Sequence, residues 1–173
     1  MALTVLEPGL HSIVVDGGRP AFRHLGMPLG GAADRAAYEL GNALLGNEPT
    51  APALEITMAG PTLQADQRTA CVLFGSPFLA AIANKGRLPP GTTFTLEAGD
   101  VLKIGGTPTG VRGSLCVAGG FDDDFVNLGR LKANQGNQNY NLPADTDFTR
   151  FASVVIWCDR FNSAFGAGDL IVA

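Results

Sequence analysis

Charge is scarce in this chain. Of its 173 residues, 12 are Lys or Arg and 16 are Asp or Glu, which leaves charged residues at 16% and a net charge of −4. The basic residues are scattered, without the patch or stripe that a nucleic-acid footprint needs. Only two histidines occur, His11 and His24, and this excludes His-rich metal chemistry. Three cysteines, Cys71, Cys116 and Cys158, are too few and too irregularly spaced for a disulfide framework or a zinc site. Met1-Ala2-Leu3-Thr4 lacks the basic segment and apolar stretch of a secretory leader. No run of 18 apolar residues occurs, so no membrane-spanning helix is expected. These absences predict a cytoplasmic chain that binds no metal, no nucleic acid and no membrane.

What is abundant is hydrophobic residues, at 46%, with 23 glycines and 11 prolines. That composition belongs to a folded, turn-rich chain rather than a disordered one. Short apolar runs alternate with Gly/Pro turns at intervals of roughly ten residues, which predicts an all-β sandwich or barrel. Expected strands are Ser12 to Val15, Ala53 to Met58, Ala70 to Phe74, Ala80 to Ala83, Thr92 to Leu96, Val101 to Ile104, Gly113 to Ala118 and Ser153 to Cys158. Ala70-Cys71-Val72-Leu73-Phe74 is continuously apolar, as in a strand buried on both faces. One helix breaks the pattern, near residues 34–46. Ala37, Leu40 and Leu44, extended by Ala36 and Ala43, form its expected apolar face. Asp34 stands where an N-terminal acceptor belongs, Gly46-Asn47 where the helix ends, and Pro49 beyond it.

Several blocks stand in a distinctive order. They are Asp16-Gly17-Gly18-Arg19-Pro20 with His24-Leu25-Gly26, and Gly30-Gly31-Ala32-Ala33-Asp34 leading into Asn42-Ala43-Leu44-Leu45-Gly46-Asn47. Leu54-Glu55-Ile56-Thr57 with Gly60-Pro61-Thr62-Leu63 comes next, then Leu96-Glu97-Ala98-Gly99-Asp100-Val101-Leu102, then Arg112-Gly113-Ser114-Leu115-Cys116-Val117-Ala118-Gly119-Gly120-Phe121-Asp122. From residue 3 to about 122 this resembles the first half of the family of the oxoprolinase C-subunit and allophanate hydrolase subunit 2, which includes the carboxyltransferase part of urea amidolyase. The resemblance implies a cyclophilin-like β-barrel that acts on small amide, lactam or ureido compounds. It also implies a second, B-subunit-like partner, with ATP or biotin reaching the reaction through that partner and no cofactor held by this chain. Val15 stands where the family pattern usually has glutamine. Residues 122–170, with Trp157-Cys158, resemble the second half of a DM-thirteen domain, a β-sandwich proposed to act in electron transfer. The expected organisation is therefore a partial carboxyltransferase-type domain over residues 1–121 and a partial DM-thirteen-like segment over 122–173, with added β-sandwich-like strands.

The residue types suggest where chemistry would lie. Asp16 and Arg19 flank a glycine pair. Arg19 offers a planar fork to a carboxylate or polarised carbonyl and Asp16 accepts from an amide N–H; a turn held by its own ion pair is the alternative. Glu55 is a candidate general base if it faces the interior and a plain surface carboxylate if it faces solvent. Asp16, Arg19 and Glu55 are thus the catalytic candidates. His24, Gly30, Gly31 and Asp34 are the substrate-binding candidates. His24 is an acid/base or a structural histidine. Gly30 and Gly31 are an anion-binding turn or a site of close backbone approach, and Asp34 is a ligand or a helix cap. Cys158 is a redox candidate or an inert strand residue. The acids Asp122-Asp123-Asp124, Asp145 and Asp147 read as solvated loop groups. Besides a partial enzyme that is inactive on its own, a non-catalytic interaction module or a redox domain using Cys158 fits the same sequence.

Overall fold

A computed structural model describes residues 3–121, residues 140, 141 and 146, and two strands of the C-terminal segment. The chain divides into two compact units, Met1–Asp122 and Asp123–Ala173. The first unit contains strands β1 (Leu3–Glu7), β2 (His11–Val15), β3 (Ala53–Thr57), β4 (Thr62–Ala65), β5 (Thr69–Gly75), β6 (Ala80–Ile82), β7 (Gly86–Leu88), β8 (Thr93–Leu96), β9 (Val101–Ile104) and β10 (Arg112–Val117). Helix α1 (Arg35–Leu44) lies between β2 and β3, preceded by a 3-10 turn at Pro20–Leu25. The strands form two five-stranded sheets, ordered β1-β4-β9-β6-β7 and β2-β3-β10-β5-β8. All their pairings are antiparallel. In the second unit β11 (Ser153–Cys158) pairs antiparallel with β12 (Ser163–Asp169). The mainly β architecture, with one α-helix among the described residues, agrees with the expectation from sequence.

The alternation of side chains along β5 and β10 shows how the layers stack. Cys71, Leu73, Leu115 and Val117 join the main core, together with Leu63 of β4 and Leu102 and Ile104 of β9. Val72, Phe74 and Cys116, one residue out of phase, join a second cluster with Tyr38 and Leu45. The second sheet is therefore covered on one face by the first sheet and on the other by α1. This explains the unbroken apolar run of β5. Full burial of each Leu, Ile or Val in these clusters contributes roughly 1.5–3 kcal/mol.

Helix α1 is bounded as its sequence suggests. The Asp34 carboxylate accepts the Ala37 N–H at 3.0 Å. At the other end Gly46, with φ of 67°, donates to Ala43, while Asn47 N–H reaches back to Asn42 O at 3.0 Å. This is the paired closure of a Schellman motif. The buried face agrees with the expected one at Ala37 and departs from it elsewhere. Ala37, Tyr38, Gly41 and Asn42 point at the sheet, whereas Leu40 and Leu44 are half exposed, at 52% and 50%. Small residues explain the choice, because Gly41 lets the helix approach β10 so closely that a Cβ there would lie 2.7 Å from Cys116 Sγ. Strands β1, β4, β7 and β12 and the 3-10 turn fall outside the set expected from sequence.

The two ends of the sandwich differ in character. Edge strand β8 exposes Thr93 and Thr95, whereas β1 exposes Val5 and Leu6, and β2 exposes Ile13 and Val14. Sheet edges are normally blunted by charge, and on the β1/β2 edge Glu7 is the one Asp, Glu, Lys or Arg among these exposed apolar side chains.

Two outcomes are expected. Gly41→Ala, normally favourable in a helix by about 1 kcal/mol, should instead destabilise by about 1–3 kcal/mol through overpacking. Pairing it with Cys116→Ala should recover most of that loss in a urea-unfolding double-mutant cycle. Burial also pushes Cys71, Cys116 and Tyr38 up to about 12. The folded state then keeps protons that the unfolded chain releases at its ordinary thiol and phenol values. This stabilising contribution is complete below pH ~9 and is lost as pH rises from there towards ~12. Urea midpoints should accordingly fall with rising pH across that window.

Candidate functional site

Beyond β2 the chain makes two turns that pack against each other. Asp16 Oδ1 accepts the N–H of Gly18 at 2.7 Å, closing a tight local turn. Arg19 N–H then donates to Leu29 O at 2.8 Å, and Ala32 N–H donates to Asp16 O at 3.0 Å. These bonds bring the Asp16–Arg19 turn against the Gly30-Gly31 turn. The approach is possible only for glycine. A Cβ on Gly31 would lie 2.5 Å from Gly18 N, and both Gly30 and Gly31 have positive φ, at 64° and 74°. The Arg19 side chain runs over Gly30, and its Nε donates to Pro28 O at 3.4 Å. The alternative of a turn held by an Asp16–Arg19 ion pair does not form; the turn is held by backbone and carboxylate hydrogen bonds.

Glu55 anchors the far end of this loop. It stands on β3, on the same face as Ala53, and therefore faces the helix-covered side of the sheet. Its side chain is 1% exposed. Oε2 accepts the N–H groups of Ala33 and Asp34, at 2.7 and 3.3 Å, just ahead of the helix. Oε1 accepts from Arg112 Nη1 at 2.5 Å. The carboxylate is thus neither a surface group nor an acid in the space between the sheets. It lies against the positive end of α1, where an anion is favoured. Arg112 is 39% exposed, so the pair has one buried and one solvent-facing partner. Arg112 is absent from the candidates drawn from sequence. Its signals there are its place at the head of the Arg112–Asp122 block and the alternation of the strand; in the structure Arg112, Ser114 and Cys116 share one face of β10, and β3 sets Thr57 and Glu55 opposite the first two.

The remaining candidates separate. Asp34 caps the helix and also donates its N–H to Glu55. His24 is exposed on the 3-10 turn. Val15 is buried beside Tyr38, Ala53 and Val72, where a glutamine amide would meet an apolar cluster. Asn42 and Asn47 are structural: Asn42 Nδ2 donates to Ala51 O, and Asn47 Nδ2 donates to Val117 O at 2.7 Å. Cys71 and Cys116 are buried. Cys158 lies on β11, opposite Ser163, and its side chain lies outside the described residues. The acids at 122–124, 145 and 147 lie outside them as well. A cavity lined by Phe78, Leu88, Pro89 and Phe94 sits at the β7/β8 edge, away from these turns, and holds no more than a water.

Glu55→Ala should leave two N–H groups and one guanidinium without a partner and cost about 2–4 kcal/mol. Asp34→Ala should cost only about 1 kcal/mol, as a lost cap does. Urea unfolding of the two variants checks the order; equal losses would mean that Glu55 is not the anchor.

Comparison with known proteins places this frame. Residues 25–128 match the family described as "Carboxyltransferase domain, subdomain A and B". Residues 95–170 match "Electron transfer DM13". The 5-oxoprolinase C-subunit of Escherichia coli (strain K12) is 34% identical over 120 residues, covering 69% of this chain and 38% of its own length. The urea amidolyase of Saccharomyces cerevisiae is 29% identical over 122 residues, 70% of this chain and 7% of the relative. Among solved structures, TTHA0988 superposes with a TM-score of 0.65 and 39% identity over 70% of this chain and 46% of its own. The K. lactis urea amidolyase superposes with a TM-score of 0.66 and 32% identity over 70% of this chain and 7% of its own. This chain thus spans less than half of each of these relatives. The two sheets, the helix between β2 and β3 and the turns at 16–19 and 28–34 are those of a chain that belongs to the carboxyltransferase domain family, subdomains A and B.

Proposed function

We propose that residues 1–121 form the first part of a unit of the oxoprolinase C-subunit and urea amidolyase type, which binds a small amide, lactam or ureido compound together with a partner subunit. The observation that carries this reading is the meeting of the two turns. Neither Gly30 nor Gly31 uses its N–H in a hydrogen bond among the described residues, and the Arg19 guanidinium lies directly over Gly30. Unengaged N–H donors beside a guanidinium suit a polarised carbonyl and its developing oxyanion. The Asp16 carboxylate, 2.7 Å from Gly18 N, keeps lone pairs for an amide N–H. Asp34 and Glu55 hold the turn in place, and His24 supplies an exposed imidazole on the neighbouring 3-10 turn. Glu55 acts through the backbone it fixes, since both of its oxygens are engaged.

A partner is favoured by apolar surface that a lone unit would not expose. Ile13 and Val14 of edge strand β2 are 43% and 58% exposed, and α1 presents Leu40 and Leu44 on the side away from its sheet. The chain has no Gly-rich phosphate loop, so ATP or biotin chemistry would be brought by the partner. The second reading, a redox role for Cys158, is favoured only by the match of residues 95–170 to the electron-transfer family.

The full chain alone should release no phosphate from ATP in the presence of 5-oxoproline. Mixing with the other subunits of a 5-oxoprolinase should restore release, and Arg19→Ala should lower it at least tenfold. Release by the chain alone, or no effect of Arg19→Ala in the mixture, would overturn the assignment.

A further inference from the structure

The second sheet ends on β2. Its residues, His11-Ser12-Ile13-Val14-Val15, pair on one side with β3, and no described strand pairs with the other side. That side presents backbone N–H and C=O groups as a template for strand addition. Neither face of the strand roofs this edge. Ile13, on the helix side with Val15, is 43% exposed, and Val14, on the opposite face, is 58% exposed.

Each of the other three edge strands is guarded by charge or by exposed polar side chains. β1 carries Glu7, and its Thr4 hydroxyl donates to Asp66. β7 carries Arg87 and follows Lys85. β8 exposes Thr93 and Thr95 and leads into Glu97, which pairs with Arg68. On β2 the one ionisable side chain is His11, at the first position, and Asp16 follows the last. A two-fold axis through Ile13 would match this strand to a second copy of itself over its whole length. Ile13 then faces its own copy, Ser12 faces Val14, and His11 faces Val15. No like charges meet along this line. Each His11 comes within one residue of the other copy's Asp16, so the strand's basic end is set beside its acidic end.

We infer that two copies of this chain join β2 to β2, antiparallel about Ile13, so that their second sheets run on as one. The second copy thereby brings an imidazole to the turn where the candidate site begins. Ile13 and Val14 are assigned to this contact, and Leu40 and Leu44 of α1 remain for a subunit of another kind. The inference does not depend on the amide reading of the two turns.

Sedimentation of the full chain tests the assembly, and placed cysteines test its register. The chain should pass from one copy to two as concentration rises. Ile13→Lys sets two like charges face to face and should weaken the dimer about tenfold or more, with its urea midpoint, read at dilution, as the control for folding. In a Cys158→Ser background, where the remaining Cys71 and Cys116 are buried, Ile13→Cys should form a disulfide-linked dimer under mild oxidation. Facing residues have Cα atoms about 4.5–5.5 Å apart, within disulfide reach. Val14→Cys lies at a more exposed position but faces Ser12, and should link about tenfold more slowly; Leu6→Cys, on β1 and 49% exposed before substitution, should do the same. A chain that stays monomeric at every concentration, or a dimer that Ile13→Lys leaves intact, would overturn the inference. Val14→Cys or Leu6→Cys linking as fast as Ile13→Cys would overturn it as well. None of these results touches the phosphate-release assay of the mixed subunits, on which the amide reading stands or falls separately.

Discussion

A carboxylate with 1% of its side chain exposed must be neutralised where it stands, because burying a lone charge costs several kcal/mol. Glu55 is neutralised from two directions at once, by the N–H groups ahead of α1 and by Arg112. The start of the helix and the side chain of Arg112 take their position from that arrangement, while the bonds of Arg19 to Leu29 and of Ala32 to Asp16 set the turns before it. The start of the helix is drawn onto β3, the Gly30-Gly31 turn is drawn against Asp16–Arg19, and Arg112 is turned along the sheet. The main core, shared between the sheets, supplies the stability that tolerates this polar insertion. The apolar cluster under α1 keeps water from competing with it.

Much of the frame was legible in the sequence because its signals are local. Asp34, Gly46 and Asn47 each act within one helical turn, so the helix ends were readable. The run from Ala70 to Phe74 signalled a doubly buried strand because both faces of β5 are covered. What was not legible depends on partners distant in sequence. Leu40 and Leu44 form a plausible apolar stripe, yet Gly41 and Ala37 set the contact because close approach to Cys116 outweighs side-chain size. Strand β7 is short and holds Gly86 and Arg87, so it lacks an apolar pattern of its own, while β4 alternates Leu63 and Ala65 with Thr62 and Gln64 over only four residues, too few to stand out. Glu55 was visible as a candidate, but which side of its strand lies under a helix is a tertiary fact. Arg112 could be assigned only once the register of β10 on β3 was known.

The two family matches overlap between residues 95 and 128, and the division of the chain into units falls inside that overlap, at Asp122. Strand β10 ends just before it, and its last residues are fastened to the first unit. Asn47 Nδ2 donates to Val117 O, Asn47 Oδ1 accepts from Gly119 N at 2.8 Å, and Phe121 N–H donates to Pro52 O.

That fastening closes the end of the first unit onto its own residues. Among the described residues, the end of β10 and the turn after it are held by Asn47 and Pro52, both far upstream in sequence. A break one strand earlier would remove Arg112 and strand the buried charge of Glu55.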